Sequence, residues 1–326
     1  MASGRGEDVS DTRRISASSI KTLTDCSLLY YYSRVLKVPE RVWAKTVMGS
    51  LAHSIFECLR NPCHRHHFDA ITAPVTSVDY NLSPALARLV RMWQEKHKIE
   101  QWLIDELNGL LYVGLLCIDF HWTNADKDES GAPKVYGPEH EFKLILDDGT
   151  EIKGFIDDMA MVGGIMVIRD FKSAKRKFAE ADLPHNIQSM IYALYVWQRF
   201  GVPSMTQFVM LRHPPTKRAP EKHLQTVYSP SPTHFTGLVS YLKSIYARIN
   251  AFGLEDAYAF PHQDEGFCRN VCSYLEPFDY YALVSRDNPS VILSTFKLDN
   301  VPQFDHASQM LVVKHHPGCF SRWRQP

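Results

Sequence analysis

Apolar side chains recur at helical spacing from Ile15 to about residue 59 and again between about 83 and 118, then switch to a two-residue alternation from 139 to 172. Ser16 or Ser18 can cap a first helix carrying Ile20, Leu23, Cys26/Ser27 and Tyr30/Tyr31, which Pro39 ends. A second helix, about Val47 to Leu59, puts Leu51, Ala52, Ile55, Phe56 and Leu59 on one stripe. Gly49, His53 and Glu57 are each four residues apart and stack on its other side. Helical patterns at 83–98 and 101–111, followed by a polar Gly/Pro loop to Pro138, predict an inserted helical lobe over about 61–138. The alternating region predicts an antiparallel meander: Glu139–Asp147, a turn at Asp147-Asp148-Gly149, Glu151–Met161, a turn at Gly163-Gly164, and Ile165–Lys172. A helix from Leu183 to Phe200, a strand from Thr206 to Arg212 and a long helix from Thr233 to Phe252 follow. Residues 1–14 carry almost nothing to bury and read as a disordered leader. Residues 15–326 read as one α/β domain, closing in a helical, cysteine-containing segment at about 231–326.

Charge narrows the reading. With 36 basic and 36 acidic side chains in 326 residues, the chain has no whole-molecule attraction for nucleic acid or anionic lipid, so a polyanion must be held by a local patch. A hydrophobic fraction of 45% excludes fibrous and wholly disordered classes. The longest charge-free apolar run, Leu107 to Ile118, is about two thirds of a bilayer span, and the start of the chain has no apolar signal region. Seven cysteines without framework spacing point to a reducing, cytoplasmic setting. Cys58, Cys63 and Cys117 read as small apolar residues, and His64, His66 and His67 as a polar turn.

The meander concentrates the candidate chemistry. Asp157 falls near the end of the second strand, while Asp170 and Lys172 sit two apart on the third and therefore share a face. An isolated Asp-x-Lys is most often a structural pair, but two carboxylates on adjacent strands with a lysine alongside also supply what a hard divalent cation and an activated water need. Glu141 lies one strand earlier and serves equally as a cross-strand partner of a lysine. Gln188 and Tyr192 lie one helical turn apart and can reach the same strand backbone or the lysine. Arg169, Lys172, Lys175, Arg176 and Lys177 place five cations in nine residues, either a solvated connection or a phosphate-facing patch.

In order, Gly49-x-x-x-His53, Gly154-x-Ile156-Asp157, Asp170-Phe171-Lys172 and Gln188-x-x-x-Tyr192 resemble the motifs of the RecB-like branch of the PD-(D/E)XK nucleases, over about Ser16 to Asp279. Each motif alone is weak, and the ordered set is specific. The resemblance implies a restriction-endonuclease-like αβββαβ core with a mixed central sheet and helical elaborations. It implies Mg²⁺ or Mn²⁺ held by His53, Asp157, Asp170 and the Phe171 carbonyl, with Lys172 orienting the attacking water and Glu141, Gln188 and Tyr192 as further site residues. Lys175, Arg176 and Lys177 become DNA-binding candidates. Relatives carrying an iron–sulfur cluster use one N-terminal and three C-terminal cysteines. Cys26, Cys268 and Cys272 are similar to three of those positions, Phe278 stands where another cysteine is expected, and Cys319 or a zinc site are the alternatives. The implied activity is a metal-dependent DNA exonuclease of recombination, repair or phage genome processing, with DNA and a recombination or helicase protein as partners. The alternatives are a cluster-bearing CRISPR-adaptation-type nuclease and a non-catalytic binding module. The intact Asp157/Asp170/Lys172 set argues against the last.

Overall fold

The computed structural model describes residues 15–40, 44–60, 84–97, 100–119, 122–257, 268, 272–298, 301 and 303–319. The expected leader at 1–14, Cys63 and the histidines at 64–67 lie outside these residues. The helices are α1 (Ala17–Asp25), α2 (Ser27–Tyr30), α3 (Ala44–Arg60), α4 (Pro84–His97), α5 (Gln101–Cys117), α6 (Ile187–Phe200), α7 (Phe235–Ala251) and α8 (Leu254–Ala257). The strands are β1 (Val135–Tyr136), β2 (His140–Ile145), β3 (Glu151–Ile156), β4 (Asp158–Val162), β5 (Ile165–Lys172), β6 (Ser204–Met210), β7 (Leu224–Tyr228), β8 (Phe278–Ser285), β9 (Ile292–Phe296) and β10 (Gln309–His316).

The chain sorts into two compact units, and the expected single domain spans both. One comprises segments 43–144 and 153–239, the other segments 1–42, 145–152 and 240–326. The first holds a mixed sheet of order β1-β4-β5-β6-β7, in which only β5 and β6 run parallel, with Lys172 beside Met210. This is the mixed α/β core that the resemblance implies. The second predicted strand is not continuous. It breaks at Asp157 into β3, which pairs with β2, and β4, which joins the central sheet opposite β5. The break leaves Asp157 between two sheets, free of both ladders.

Helix α3 covers the parallel pair. Its Met48, Leu51, Ala52, Ile55 and Phe56 are buried with Leu107, Leu110 and Leu111 of α5, Phe171 of β5 and Val209 of β6. Burying each of the larger of these side chains contributes roughly 1.5–3 kcal/mol. Helix α6 starts where Asn186 accepts from the Gln188 and Ser189 amides and ends at Gly201 in the left-handed region (φ 68°), which a residue without Cβ reaches at no steric cost. These stops fix the register of Gln188 and Tyr192 on the sheet.

In the other unit, Ser16 is the cap of the two expected candidates and forms a capping box with Ser19. The helix then breaks at Cys26, whose sulfur accepts from the Leu29 amide and caps α2. Tyr274 donates to the Val38 carbonyl at 2.7 Å, and its ring lies 5.4 Å from those of Tyr32 and His316. The C-terminal segment differs from the helical expectation. Beyond α7 and the short α8 it carries a three-stranded antiparallel sheet of order β10-β8-β9. Every residue of β9 is half-buried, which erases the two-residue alternation that marks a strand in sequence.

Candidate metal centre

All the residues of the candidate centre belong to the first unit. Strand alternation sends Asp157 and Asp170 to one side of the sheet and Asp158 and Arg169 to the other. Asp157 Oδ2 accepts from the Phe171 amide at 2.7 Å and lies 3.4 Å from His53 Nδ1. The other ring nitrogen of His53 is 2.8 Å from the Phe171 carbonyl. His53 thus meets both groups that the resemblance places on a metal. Burial acts to lower its pKa, but the hydrogen bond and charge of Asp157, aided by Asp170, outweigh that and push it up to about 9. Without a metal, His53 is held as a cation beside Asp157, as Lys172 is beside Asp170.

Asp170 is buried, with Lys172 Nζ at 2.6 Å from its Oδ2. Gln188 Nε2 donates to Asp170 Oδ1 at 2.8 Å, Lys172 donates to Gln188 Oε1 at 2.9 Å, and Gln188 Nε2 also donates to the Tyr192 hydroxyl at 2.7 Å. The Tyr192 hydroxyl in turn donates to the Phe155 carbonyl at 2.9 Å. The helix pair therefore reaches strand backbone and lysine together. Burial pushes the Asp170 carboxyl up and Asp157 adds to the shift, while Lys172 opposes it. Burial and the same two carboxylates raise the Tyr192 hydroxyl, keeping it a neutral donor.

Sequence reasoning placed the third acid at Glu141, but that side chain is exposed on β2. Glu139 takes the position instead. It occupies the left-handed region (φ 49°), its amide donates to the Asp157 carbonyl at 3.1 Å, and its carboxylate, an Asp157 oxygen and a His53 nitrogen all lie within 4.8 Å of one another. Burial raises the Glu139 carboxyl, and Asp157, Glu57 and Asp170 add to the shift against His53. The available signal was Gly137-Pro138, which makes Glu139 a turn residue rather than the first residue of the alternating strand. Gly49, one turn before His53, makes room for Ser173, because a Cβ there would lie 2.7 Å from Ser173 Oγ.

On the opposite sheet face, Asp158 is fully buried between Arg60 (2.9 Å), Arg169 (3.7 Å) and the Trp122 indole N–H (3.0 Å). Burial raises Asp158 and lowers Arg169 to about 10, and the attraction between them opposes both shifts. Sequence reasoning missed this cluster.

Lys175 and Arg176 are exposed and Lys177 half-buried, on the segment leaving β5. In the other unit, burial pushes the Cys272 thiol up to about 11, and Cys26 and Cys268 raise it further. Burial pushes Cys319 up to about 12, with Cys272, Cys26 and Cys268 adding. Four thiols thus lie within electrostatic reach of one another, the fourth being Cys319. No helix among the described residues is long and apolar enough to cross a membrane.

A donor set of one imidazole and several mutually repelling carboxylates fits a hard divalent cation, which would neutralise them. Comparison with known proteins gives the same direction. No curated protein matches the chain. A candidate exonuclease from Eubacterium rectale is similar in structure with TM-score 0.40 and 12% identity, over 83% of this chain and 93% of that one. The solved protein SSO0001 is similar with TM-score 0.27 and 12% identity, over 68% and 82%. At these scores neither likeness carries weight. The model of the PD-(D/E)XK nuclease superfamily matches residues 14–276, which takes in every residue of the centre, and the chain belongs to that superfamily.

Proposed function

We propose that this chain is a divalent-metal-dependent nuclease that hydrolyses DNA phosphodiester bonds, acting in recombination, repair or phage genome processing. The observation carrying the reading is the convergence of His53, Glu139 and Asp157 within 4.8 Å, with Asp170 and Lys172 alongside. His53, Glu139, Asp157, Asp170 and the Phe171 carbonyl would hold Mg²⁺ or Mn²⁺. The ion, when bound, supplies charge that draws in the phosphate and acidifies a water.

The remaining work falls to the chain's own groups. Lys172 is held by Asp170 at 2.6 Å and Gln188 at 2.9 Å, so its ammonium is oriented before substrate arrives. It then stabilises negative charge building on the phosphate oxygens, a kind of contribution worth about 10²–10³ in rate. Gln188 ties Asp170 to Tyr192, and Tyr192 ties both to the β3 carbonyl of Phe155. Lys175, Arg176 and Lys177 contact phosphates without reading bases.

A second part of the reading concerns Cys26, Cys268, Cys272 and Cys319. The raised thiols of Cys272 and Cys319 lose their protons only if a metal compensates the charge. The four thiolates together would hold an iron–sulfur cluster or zinc.

The test is cleavage of end-labelled linear and closed circular DNA with Mg²⁺ or Mn²⁺, alongside Mn²⁺ titration and thermal melting. Asp170→Ala should lose metal and cleavage. Lys172→Ala should keep the metal and DNA affinity and lose cleavage about a hundredfold or more. Cleavage by a folded Asp170→Ala protein refutes the site, and digestion of circular DNA refutes the narrower exonuclease form.

A further inference from the structure

Six cations outside the metal centre share one platform. The β6–β7 connection is an arm whose base lies against the segment leaving β5. The Leu211 amide donates to the Lys172 carbonyl at 2.9 Å, Arg212 Nε to the Ser173 carbonyl at 2.8 Å, and a His213 ring nitrogen lies 3.1 Å from the Lys175 carbonyl. Glu106 anchors the Arg212 guanidinium at 2.9 Å. Further along, the Gln225 side chain accepts from the Phe178 amide and donates to the Phe178 carbonyl, both at 2.9 Å. The 173–178 segment and the arm are thus pinned together at several points.

The tip is closed as well. Thr216 and Ala219 exchange two backbone hydrogen bonds of 3.1 Å, and the Lys222 amide donates to the Ala219 carbonyl at 3.2 Å. Pro214, Pro215 and Pro220 fix further backbone angles. This turn presents Lys217 and Arg218 at its apex and Lys222 on the return, all three exposed. Together with Lys175, Arg176 and Lys177 they make six cations. Glu221 is the carboxylate within 213–222, and Glu180 and Asp182 lie just beyond the first segment. None of the six enters an ion pair among the described residues. Cations held on pinned backbone and unspent on carboxylates bind a polyanion with little ordering cost.

We infer that the β6–β7 arm is a second phosphate-binding element, with Lys217, Arg218 and Lys222 extending the 175–177 patch along the backbone of the nucleic acid that enters the metal centre. The inference rests on the nuclease reading. Because β5 and β6 run parallel, both loops leave the same sheet edge as Lys172. Lys175 is three residues beyond Lys172, so their Cα atoms lie within about 11 Å. The arm binds sequence-independent backbone charge, and the cations act through charge rather than shape.

The experiment compares wild type, Lys217→Ala/Arg218→Ala and the charge-keeping Lys217→Arg/Arg218→Lys by DNA binding in Ca²⁺ across a salt series, with melting as the folding check. Each lost phosphate contact removes about 0.7 (single strand) to 0.9 (duplex) from the slope of log K against log salt. The alanine pair should therefore flatten the slope by about 1.4–1.8 and bind about 25- to 60-fold more weakly at 0.1 M salt if the 1 M intercept is unchanged. The charge-keeping pair should match wild type. Hydrolysis of bis(p-nitrophenyl) phosphate with Mn²⁺ should be equal in all three, since that small diester reaches only the metal centre. If wild type hydrolyses neither substrate, the nuclease reading fails. If wild type cuts DNA and the alanine pair binds it with unchanged slope, the arm inference alone fails. Loss of polyglutamate binding with DNA binding intact overturns it in favour of an acidic protein partner.

Discussion

Gly114→Ala sets helix propensity against packing at a point remote from the chemistry. Gly114 lies inside α5, and a Cβ there would sit 2.2 Å from Phe56 Cζ and 2.6 Å from Cε1. Reaching ordinary contact at 3.4 Å requires the ring to move by about 1.2 Å. Replacing an interior helical glycine by alanine favours the folded state by roughly 0.5–1 kcal/mol. Overpacking a filled core costs about 1–3 kcal/mol. Packing wins here because Phe56 is rigid, fully buried and 4.7 Å from the Phe171 ring, so it has nowhere to rotate. The net cost is about 0.5–2 kcal/mol, or roughly 1–3 °C in Tm for a chain of this length. Function should suffer more. Phe56 is on the turn after His53, and the displaced ring presses on Phe171, whose carbonyl meets His53 at 2.8 Å. A misplacement near 1 Å can cost on the order of a hundredfold in rate. Differential scanning fluorimetry and Mn²⁺-dependent DNA cleavage should show a lower Tm, a higher Mn²⁺ half-saturation and partial recovery on adding Phe56→Leu, which shortens the ring out of the clash. A Tm above wild type with cleavage intact would show that propensity alone governs the site and refute the reasoning.

Glu139→Gln should raise the Mn²⁺ requirement and slow cleavage at least tenfold, whereas Glu141→Gln should match wild type in both; equal effects would return the third acid to β2. In metal-free protein the raised pKa of His53 means that its favourable contribution is fully present below its unfolded value near 6.5 and fades as pH rises through about 9. A metal must displace that proton, so calorimetry of Mn²⁺ binding in buffers of different ionisation enthalpy should show about one proton released near pH 7.5 and none well above pH 9; no release at pH 7.5 would remove His53 from the ligand set. Purified protein should contain iron with inorganic sulfide, or zinc, that Cys319→Ala loses with Cys26→Ala, and full metal content in a folded Cys319→Ala variant would exclude that cysteine.

The parts of the centre legible in sequence are those that obey a short period. Asp170 and Lys172 share a face because strands repeat every two residues, and Gln188 and Tyr192 meet because helices return after four. Glu139 was hidden because its place depends on a turn, where alternation gives no phase. The break at Asp157 was hidden for a related reason. Glu151 to Met161 reads as one strand, and only the partners of β3 and β4 show that the chain changes sheets at Asp157. Strands β8 and β10 lie far from the motifs, and β9 is evenly half-buried, so neither chemistry nor period marked the C-terminal sheet. Arg60 and Asp158 are 98 residues apart and belong to no motif, so their ion pair follows from tertiary structure alone.

That ion pair bears on why the consecutive residues Asp157 and Asp158 are both acids. They point to opposite faces, one to the metal centre and one to a fully buried cluster, and the partner strand repeats the division with Arg169 and Asp170. Arg60 is seven residues after His53, two turns along α3, so both side chains descend from the same side of the helix, about 10 Å apart. His53 reaches Asp157 and the Phe171 carbonyl while Arg60 reaches Asp158, which fixes the helix against the sheet at two depths. A buried charge cluster contributes little net stability, because desolvation offsets most of the attraction. Its consequence is geometric: a shift of α3 large enough to move His53 off the centre also pulls Arg60 from a carboxylate that has no water to replace it. The position of the histidine is thereby coupled to an interaction that takes no part in the chemistry.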